Sequence, residues 1–251
     1  METFPLDEKF LEALRLAHLW HSGQYRKVAD GEPETIPYLS HLLGVASIAL
    51  EFGATQDEAI AALLHDALED GPKNLEPDHS KRADKKEALR AEIESTFGAE
   101  VARLVSGATE ETPLVNGKKA PWPQRKGEYL KKLVDTNDVQ DASSLLVSAS
   151  DKLHNARSIL VDVLTAGNKA GRDAFFKRFN AGQEGTLQYY RLLVRAYQAA
   201  PGAKGHTRLN ALFAELDRSV KALEDACEVN EQDVLSYPVL RQEAPEALFH
   251  Q

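Results

Sequence analysis

His65 and Asp66, in the segment AALLHDALED (residues 61–70), set an imidazole beside a carboxylate near the end of an apolar run, with Glu69 and Asp70 within one further turn. Ionisable groups packed against Leu63, Leu64 and Leu68 are costly to bury unless something pairs with them, and a divalent cation is such a partner. Imidazole and carboxylate both bind hard or borderline cations. Two other segments offer the same groups: His41 in PYLSHLLGVA, 24 positions before His65, and Asp151 in SASDKLHNAR, 85 positions after Asp66. His41, His65, Asp66 and Asp151 would fill about four positions of a roughly octahedral ion and leave about two for water and substrate. An ion held in this way acidifies bound water and polarises a phosphoryl oxygen. Mixed imidazole and carboxylate ligation suits Mn²⁺, and is compatible with Fe or Zn.

The elements that must position these groups read as helices. Residues 7–21 place Phe10, Leu11, Leu14 and Ala17 at helical spacing behind Asp7 as N-cap. Residues 39–52 and 56–70 form two more helices, separated by Gly53 and with Thr55 or Asp57 as cap. On a single helix over 56–70, His65 lies above Glu69, and Asp66 above both Glu69 and Asp70. Residues 71–86 are polar and proline-interrupted and read as a surface loop; residues 112–124 read as a second loop. Further helices fit 84–97, 99–107, 124–134, 138–165, 172–200 and 206–227, with an irregular tail beyond 230 and no convincing strand. The expected fold is therefore an all-α bundle. The expected organisation is one domain over 1–251, with a motif-bearing core at about 7–165 and a C-terminal helical extension at about 171–228.

The order H…HD…D resembles the ligand pattern of the HD-domain metal-dependent phosphohydrolases. The flanks bring the resemblance closer. QYRKVADGEPETIPYLSH (24–41), LLHDALED (63–70), FGAEVARLVSGATE (97–110) and ASDKLHNAR (149–157) are similar, in order, to the RxK…G-x-P-Y-x-x-H, LLHDxxED, F-G-x-x-V-x-x-L-V-x-x-x-T and ADKLxNxR segments of the hydrolase domain of RelA/SpoT-type alarmone enzymes. The small, stand-alone alarmone hydrolases resemble this chain most. The resemblance implies Mn²⁺ at His41, His65, Asp66 and Asp151. It also implies that Glu69 and Asp70 serve catalysis at the metal-held water, and that Arg26, Lys27, Lys152 and Asn155 contact the nucleotide. The implied reaction is removal of the 3′-pyrophosphate from ppGpp or pppGpp. Only about 85 residues follow the stretch of resemblance, which ends near residue 165, and they read as helices, so a mixed α/β synthetase domain is not expected.

The chain also departs from the family pattern. Leu42 stands where proline commonly follows the first histidine, and GEPETIPY is longer than G-x-P-Y. These positions lie near the expected pocket rim and bear on base and phosphate preference, which leaves open a related phosphohydrolase acting on (p)ppApp, NADPH or another nucleotide phosphate; an alternative of another class is a non-catalytic nucleotide-binding or regulatory scaffold. By residue type alone, Tyr189, Tyr190, Arg191 and Arg195 are expected to reach the pocket. His154 is expected to be structural, on a face away from Asp151 and Asn155, while His18 and His21 read as core or surface residues.

Composition narrows the class. A net charge of −9 and a pI of about 5.4 disfavour non-specific binding to nucleic acid or anionic membranes, while a local basic pocket would still admit an anionic small nucleotide. Cys227 is the only cysteine, which excludes an intramolecular disulfide and fits a reducing compartment. The acidic start METFPLDEKF does not read as a signal peptide, and no apolar run is long enough to span a bilayer. A cytoplasmic location is expected.

Overall fold

The computed structural model describes residues 6–26, 35–108, 114–115 and 118–250. The regular secondary structure of the described residues is almost wholly helical, as expected. The helices are α1 (Glu8–Trp20), α2 (Leu39–Glu51), α3 (Gln56–Leu64), α4 (Ala67–Leu75), α5 (Arg82–Phe97), α6 (Ala99–Ala108), α7 (Trp122–Val134), α8 (Ala142–Ala166), α9 (Lys169–Phe176), α10 (Gly182–Ala199), α11 (Thr207–Ala226) and α12 (Glu231–Ser236). One minimal antiparallel pair, β1 (Leu114–Val115) with β2 (Lys118–Lys119), interrupts the expected loop at 112–124.

The chain groups into two compact units. The first contains described residues 6–26, 35–108 and 146–154; the second contains 114–115, 118–145 and 155–250. The division does not fall at the expected junction between a core ending near 165 and an extension beginning near 171, because residues 118–145 group with the C-terminal helices.

In the first unit, α3 packs against α1, α2 and α6, and every residue from Glu58 to Leu64 is buried. Three alanines (Ala59, Ala61 and Ala62) let its neighbours approach closely from several sides, so α3 is apolar around its whole circumference rather than on one stripe. Its start is fixed by a capping box: the Thr55 hydroxyl accepts from Glu58 N while the Glu58 carboxylate accepts from Thr55 N at 2.7 Å. Asp7 caps α1 as expected, its side chain accepting from Lys9 N at 2.8 Å.

Three expected boundaries change. The helix predicted over 56–70 is broken at His65 and Asp66, and α4 runs on to Leu75 through what the sequence presents as a loop. After a 3-10 turn at His79–Lys81, α5 begins at Arg82 and packs on α4, giving the polar 71–86 segment an ordered path. The long helix expected over 172–200 is two helices, α9 and α10, with residues 177–181 between them.

In the second unit, α10 packs against α7, α9, α11 and α12. The tail beyond 230 is irregular only in part, at residues 237–245. It forms α12 and a 3-10 turn at Glu246–Phe249, and the buried Gln188 amide anchors it. That amide donates to Tyr237 O at 2.5 Å and to Val234 O at 3.3 Å, and accepts from Leu240 N at 2.8 Å. Among the described residues no helix is long and apolar enough to cross a membrane.

Candidate metal centre

The break between α3 and α4 builds the centre of the site. His65 Nδ1 lies 2.8 Å from Ala62 O, a carbonyl left without its next helical donor at the end of α3. A carbonyl only accepts, so Nδ1 carries a proton and Nε2 is the nitrogen turned toward the carboxylates of the cluster. Asp66 then starts α4, whose first turn bonds Glu69 N and Asp70 N to Asp66 O at 3.1 and 2.9 Å. In an unbroken helix, neighbouring residues point about 100° apart. Here the break brings His65 Nε2 within 3.1 Å of Asp66 Oδ2.

His41 from α2 and Asp151 from α8 complete the cluster within the first unit. His41 Nε2 lies 3.2 Å from Asp151 Oδ1 and 3.7 Å from Asp66 Oδ2, while His65 Nε2 lies 3.6 Å from Asp151 Oδ1. Donor atoms of His41, His65 and Asp66 all lie within 4.8 Å of one another. Ligands at ordinary bond lengths around one small cation are roughly 3.0 to 3.5 Å apart, so these spacings fit a shared ion. The buried His65 Nε2 makes no hydrogen bond of acceptable geometry, as expected of an atom shaped for a metal bond. The donor set therefore fits a divalent cation.

Electrostatics point the same way. Burial works against a charge on His65, but Asp66 and Asp151 outweigh it and hold the imidazole well above its ordinary value. Burial would likewise raise both carboxylates; His65 instead pulls Asp66 below its usual range, and Lys152 with the two histidines does the same to Asp151. Burial lowers His41, with Asp151 offsetting it only in part. Two buried carboxylates thus draw positive charge to the point on which two imidazole nitrogens converge.

The surrounding residues are mostly ones that spacing alone does not reveal. Tyr38 donates its hydroxyl to Asp66 Oδ2 at 2.5 Å and stacks on His21, ring centroids 5.3 Å apart. Gln24 Nε2 donates to Asp70 Oδ2 at 2.9 Å, and Lys73 Nζ donates to Asp70 Oδ1 at 2.7 Å. Gln24 Oε1 in turn accepts from Asn74 Nδ2 and from His21 Nδ1, each at 2.7 Å, which fixes the amide in one orientation. His21, expected to be core or surface, is therefore buried beside the cluster and tied to Asp70 through Gln24. His154 is not on a separate face: its Nδ1 lies 2.9 Å from His41 Nδ1. Burial, His41 and Arg26 push His154 down to about 4.

The other expected site residues divide. Lys152 Nζ sits on Asp151 Oδ2 at 2.6 Å. Glu69 lies half-buried on α4, 3.7 Å from Lys73 Nζ. Arg26 is held at its backbone, donating to Ile36 O at 2.9 Å, and its charge acts on His154. Lys27 lies outside the described residues. Asn155 follows His154 on α8, in the stretch grouped with the second unit. Arg191 and Arg195 do not act as pocket cations. Arg191 pairs in a bidentate fashion with Glu224 at 2.8 and 2.7 Å, and Arg195 binds Glu231 and Leu248 O, all within the second unit. Tyr189 and Tyr190 are buried there, with Tyr189 edge-on to Trp122.

Comparison with known proteins agrees with this architecture. The chain is 28% identical over 178 residues to the guanosine-3′,5′-bis(diphosphate) 3′-pyrophosphohydrolase MESH1 of Drosophila melanogaster, covering 70% of this chain and 83% of that protein. It is 32% identical over 151 residues to the protein of the same name from Danio rerio, covering 59% of this chain and 68% of that one. It is also 31% identical over 158 residues to the bifunctional (p)ppGpp synthase/hydrolase SpoT of Escherichia coli K12, covering 61% of this chain but only 19% of that longer protein. The HD domain family model matches residues 13–174, a span that contains all four converging residues. With more than half of its length matched, and with its histidines and aspartates gathered as described, the chain belongs to the HD domain family.

Proposed function

We propose that this protein is a metal-dependent phosphohydrolase that removes the 3′-pyrophosphate from guanosine-3′,5′-bis(diphosphate) and its triphosphate form, giving GDP or GTP and pyrophosphate. The convergence of His41, His65, Asp66 and Asp151 within the HD match carries the reading. The activity named for the two MESH1 relatives supports the substrate.

In this reading His41 Nε2, His65 Nε2, Asp66 Oδ2 and Asp151 Oδ1 hold the cation, which we take to be Mn²⁺. When bound, it supplies Lewis-acid polarisation of a phosphoryl oxygen and makes water acidic near neutral pH. Glu69 and Asp70 handle the proton of the attacking water, with Asp70 held in place by Gln24 and Lys73. Lys152 brings positive charge beside Asp151, and Arg26 offers a guanidinium to the base or phosphates. Lys27 and Asn155 remain candidates for nucleotide contact through the family resemblance. A net charge of −9 fits a soluble cytoplasmic enzyme that takes a small nucleotide rather than nucleic acid or a membrane surface.

The test is product release from ppGpp with added Mn²⁺, using the full chain beside Asp66→Ala. GDP and pyrophosphate from the wild type alone are expected. Intact ppGpp would refute the reading. Turnover of ppApp or NADPH instead would move it to another nucleotide, and tight nucleotide binding without turnover would make the protein a scaffold.

A further inference from the structure

We propose that His154 sets the tautomer and ring orientation of the metal ligand His41, and that Gly44 lacks a side chain in order to seat His154. The proposal rests on the metal-binding reading above.

The two histidines of the cluster are oriented by different means. The backbone orients His65, through Ala62 O. The ring of His154 orients His41, Nδ1 to Nδ1 at 2.9 Å. Two imidazole nitrogens at that distance share one proton, so one ring donates and the other accepts. His41 Nε2 faces Asp151 and Asp66, where the ligands converge, and a nitrogen that binds a metal carries no proton. The shared proton therefore sits on His41 Nδ1. His154 accepts it as a neutral imidazole with its own proton on Nε2.

Helical spacing makes the arrangement possible. Asp151 and His154 are three apart on α8, so one turn supplies a ligand and the next supports a ligand of α2. His41 and Gly44 are three apart on α2, and the ring of His154 fills the space beside Gly44. A Cβ at residue 44 would lie 2.2 Å from both Cδ2 and Nε2 of that ring, far inside contact distance. Glycine inside a helix costs about 1 kcal/mol relative to alanine, and here that cost is matched by a use for the vacant volume. Ligating histidines usually donate to a carboxylate, a carbonyl or water. A second imidazole does the same task without adding negative charge to a centre that already holds Asp66 and Asp151.

The test is Mn²⁺ affinity by calorimetry on the metal-stripped full chain, with the melting temperature of each metal-free variant as the folding control. His154→Phe fills the space but cannot accept a proton, and is expected to weaken binding ~10- to 100-fold. His154→Asn places an oxygen near the position of Nδ1 and is expected to restore most of the affinity. Gly44→Ala displaces the ring from the other side and is expected to weaken binding as His154→Phe does. Wild-type affinity in either His154→Phe or Gly44→Ala would overturn the proposal. So would equal losses in His154→Asn and His154→Phe, since packing rather than the hydrogen bond would then be responsible. Failure of the wild type to bind Mn²⁺ would instead refute the metal reading on which the proposal rests.

Discussion

The Tyr38 hydroxyl donates at 2.5 Å to Asp66 Oδ2, the same oxygen that faces His65 Nε2 at 3.1 Å and His41 Nε2 at 3.7 Å. One carboxylate oxygen is thus positioned from behind by a phenol and presented forward to the imidazoles. Burial, and then the negative charge of Asp66, raise Tyr38 well above its usual value, so it stays a donor throughout the neutral range. Tyr38→Phe keeps the ring stacked on His21 and removes only this bond. It is expected to lower metal affinity ~10-fold, as loss of an outer-sphere partner does. Unchanged metal affinity in the variant would show that Asp66 is oriented without Tyr38.

Asp70 is braced on both oxygens, by Gln24 at 2.9 Å and Lys73 at 2.7 Å, and Gln24 is itself locked by Asn74 and His21. A carboxylate that moves a proton must stand within hydrogen-bond reach of it, and small misplacements are costly. Gln24→Leu should therefore lower kcat on ppGpp by roughly 10- to 100-fold and leave KM within a fewfold of the wild type. The decisive comparison is with Asp70→Asn. If Gln24 acts through Asp70, the double variant is no slower than Asp70→Asn alone; full additivity would show that Gln24 acts elsewhere.

How much of this site the sequence discloses follows from what each residue's role depends on. The convergence of His41, His65, Asp66 and Asp151 is legible because residue type and order alone single out the four groups. Gln24, Tyr38 and His154 are not, because their roles depend on where a ring or an amide points after the helices pack. His154 shows the reason most clearly: its spacing from Asp151 is that of a same-face helical pair, yet nothing in the sequence says that a glycine on α2 leaves room for its ring. The helix break at His65 and Asp66 is hidden too. Apolar residues continue across it, and nothing in their pattern marks the turn at which the His65 imidazole meets Ala62 O. The path through 71–86 escapes notice because its order comes from α5 packing on α4 rather than from its own polar composition.

The Arg191–Glu224 pair lies in the interior of the second unit, with both side chains almost wholly buried and bonded at 2.8 and 2.7 Å. Removing one partner of such a pair strands a charge away from water, at a cost of about 3–5 kcal/mol. Arg191→Met is expected to lose that much, lowering the melting temperature by roughly 6 to 20 °C for a chain of this size. Pairing it with Glu224→Leu should recover most of the loss, because no buried charge is then left behind. A double variant as unstable as Arg191→Met would mean that the guanidinium acts chiefly through its other partners, Asp217, bonded at 2.7 Å, and Glu231 at 3.7 Å.

Cys227 ends α11 with its thiol buried, and burial pushes it up to about 11, against the partial opposing pull of Arg172. The thiolate is the reactive form, so at pH 8 only about one thiol in a thousand is reactive, even before access is considered. In the unfolded chain the thiol returns to roughly 8.5, where a sizeable fraction is ionised at the same pH. The sign is that of an acid whose folded value is raised. Folding is favoured by the neutral thiol at pH below the unfolded value, and that contribution is lost as pH rises toward the folded one. Native protein should therefore resist iodoacetamide at pH 8 and label quickly once denaturant is added, with the native rate rising about tenfold per pH unit up to pH 10. Rapid labelling of the native chain at pH 8 would show that the end of α11 opens far more readily than its packing implies.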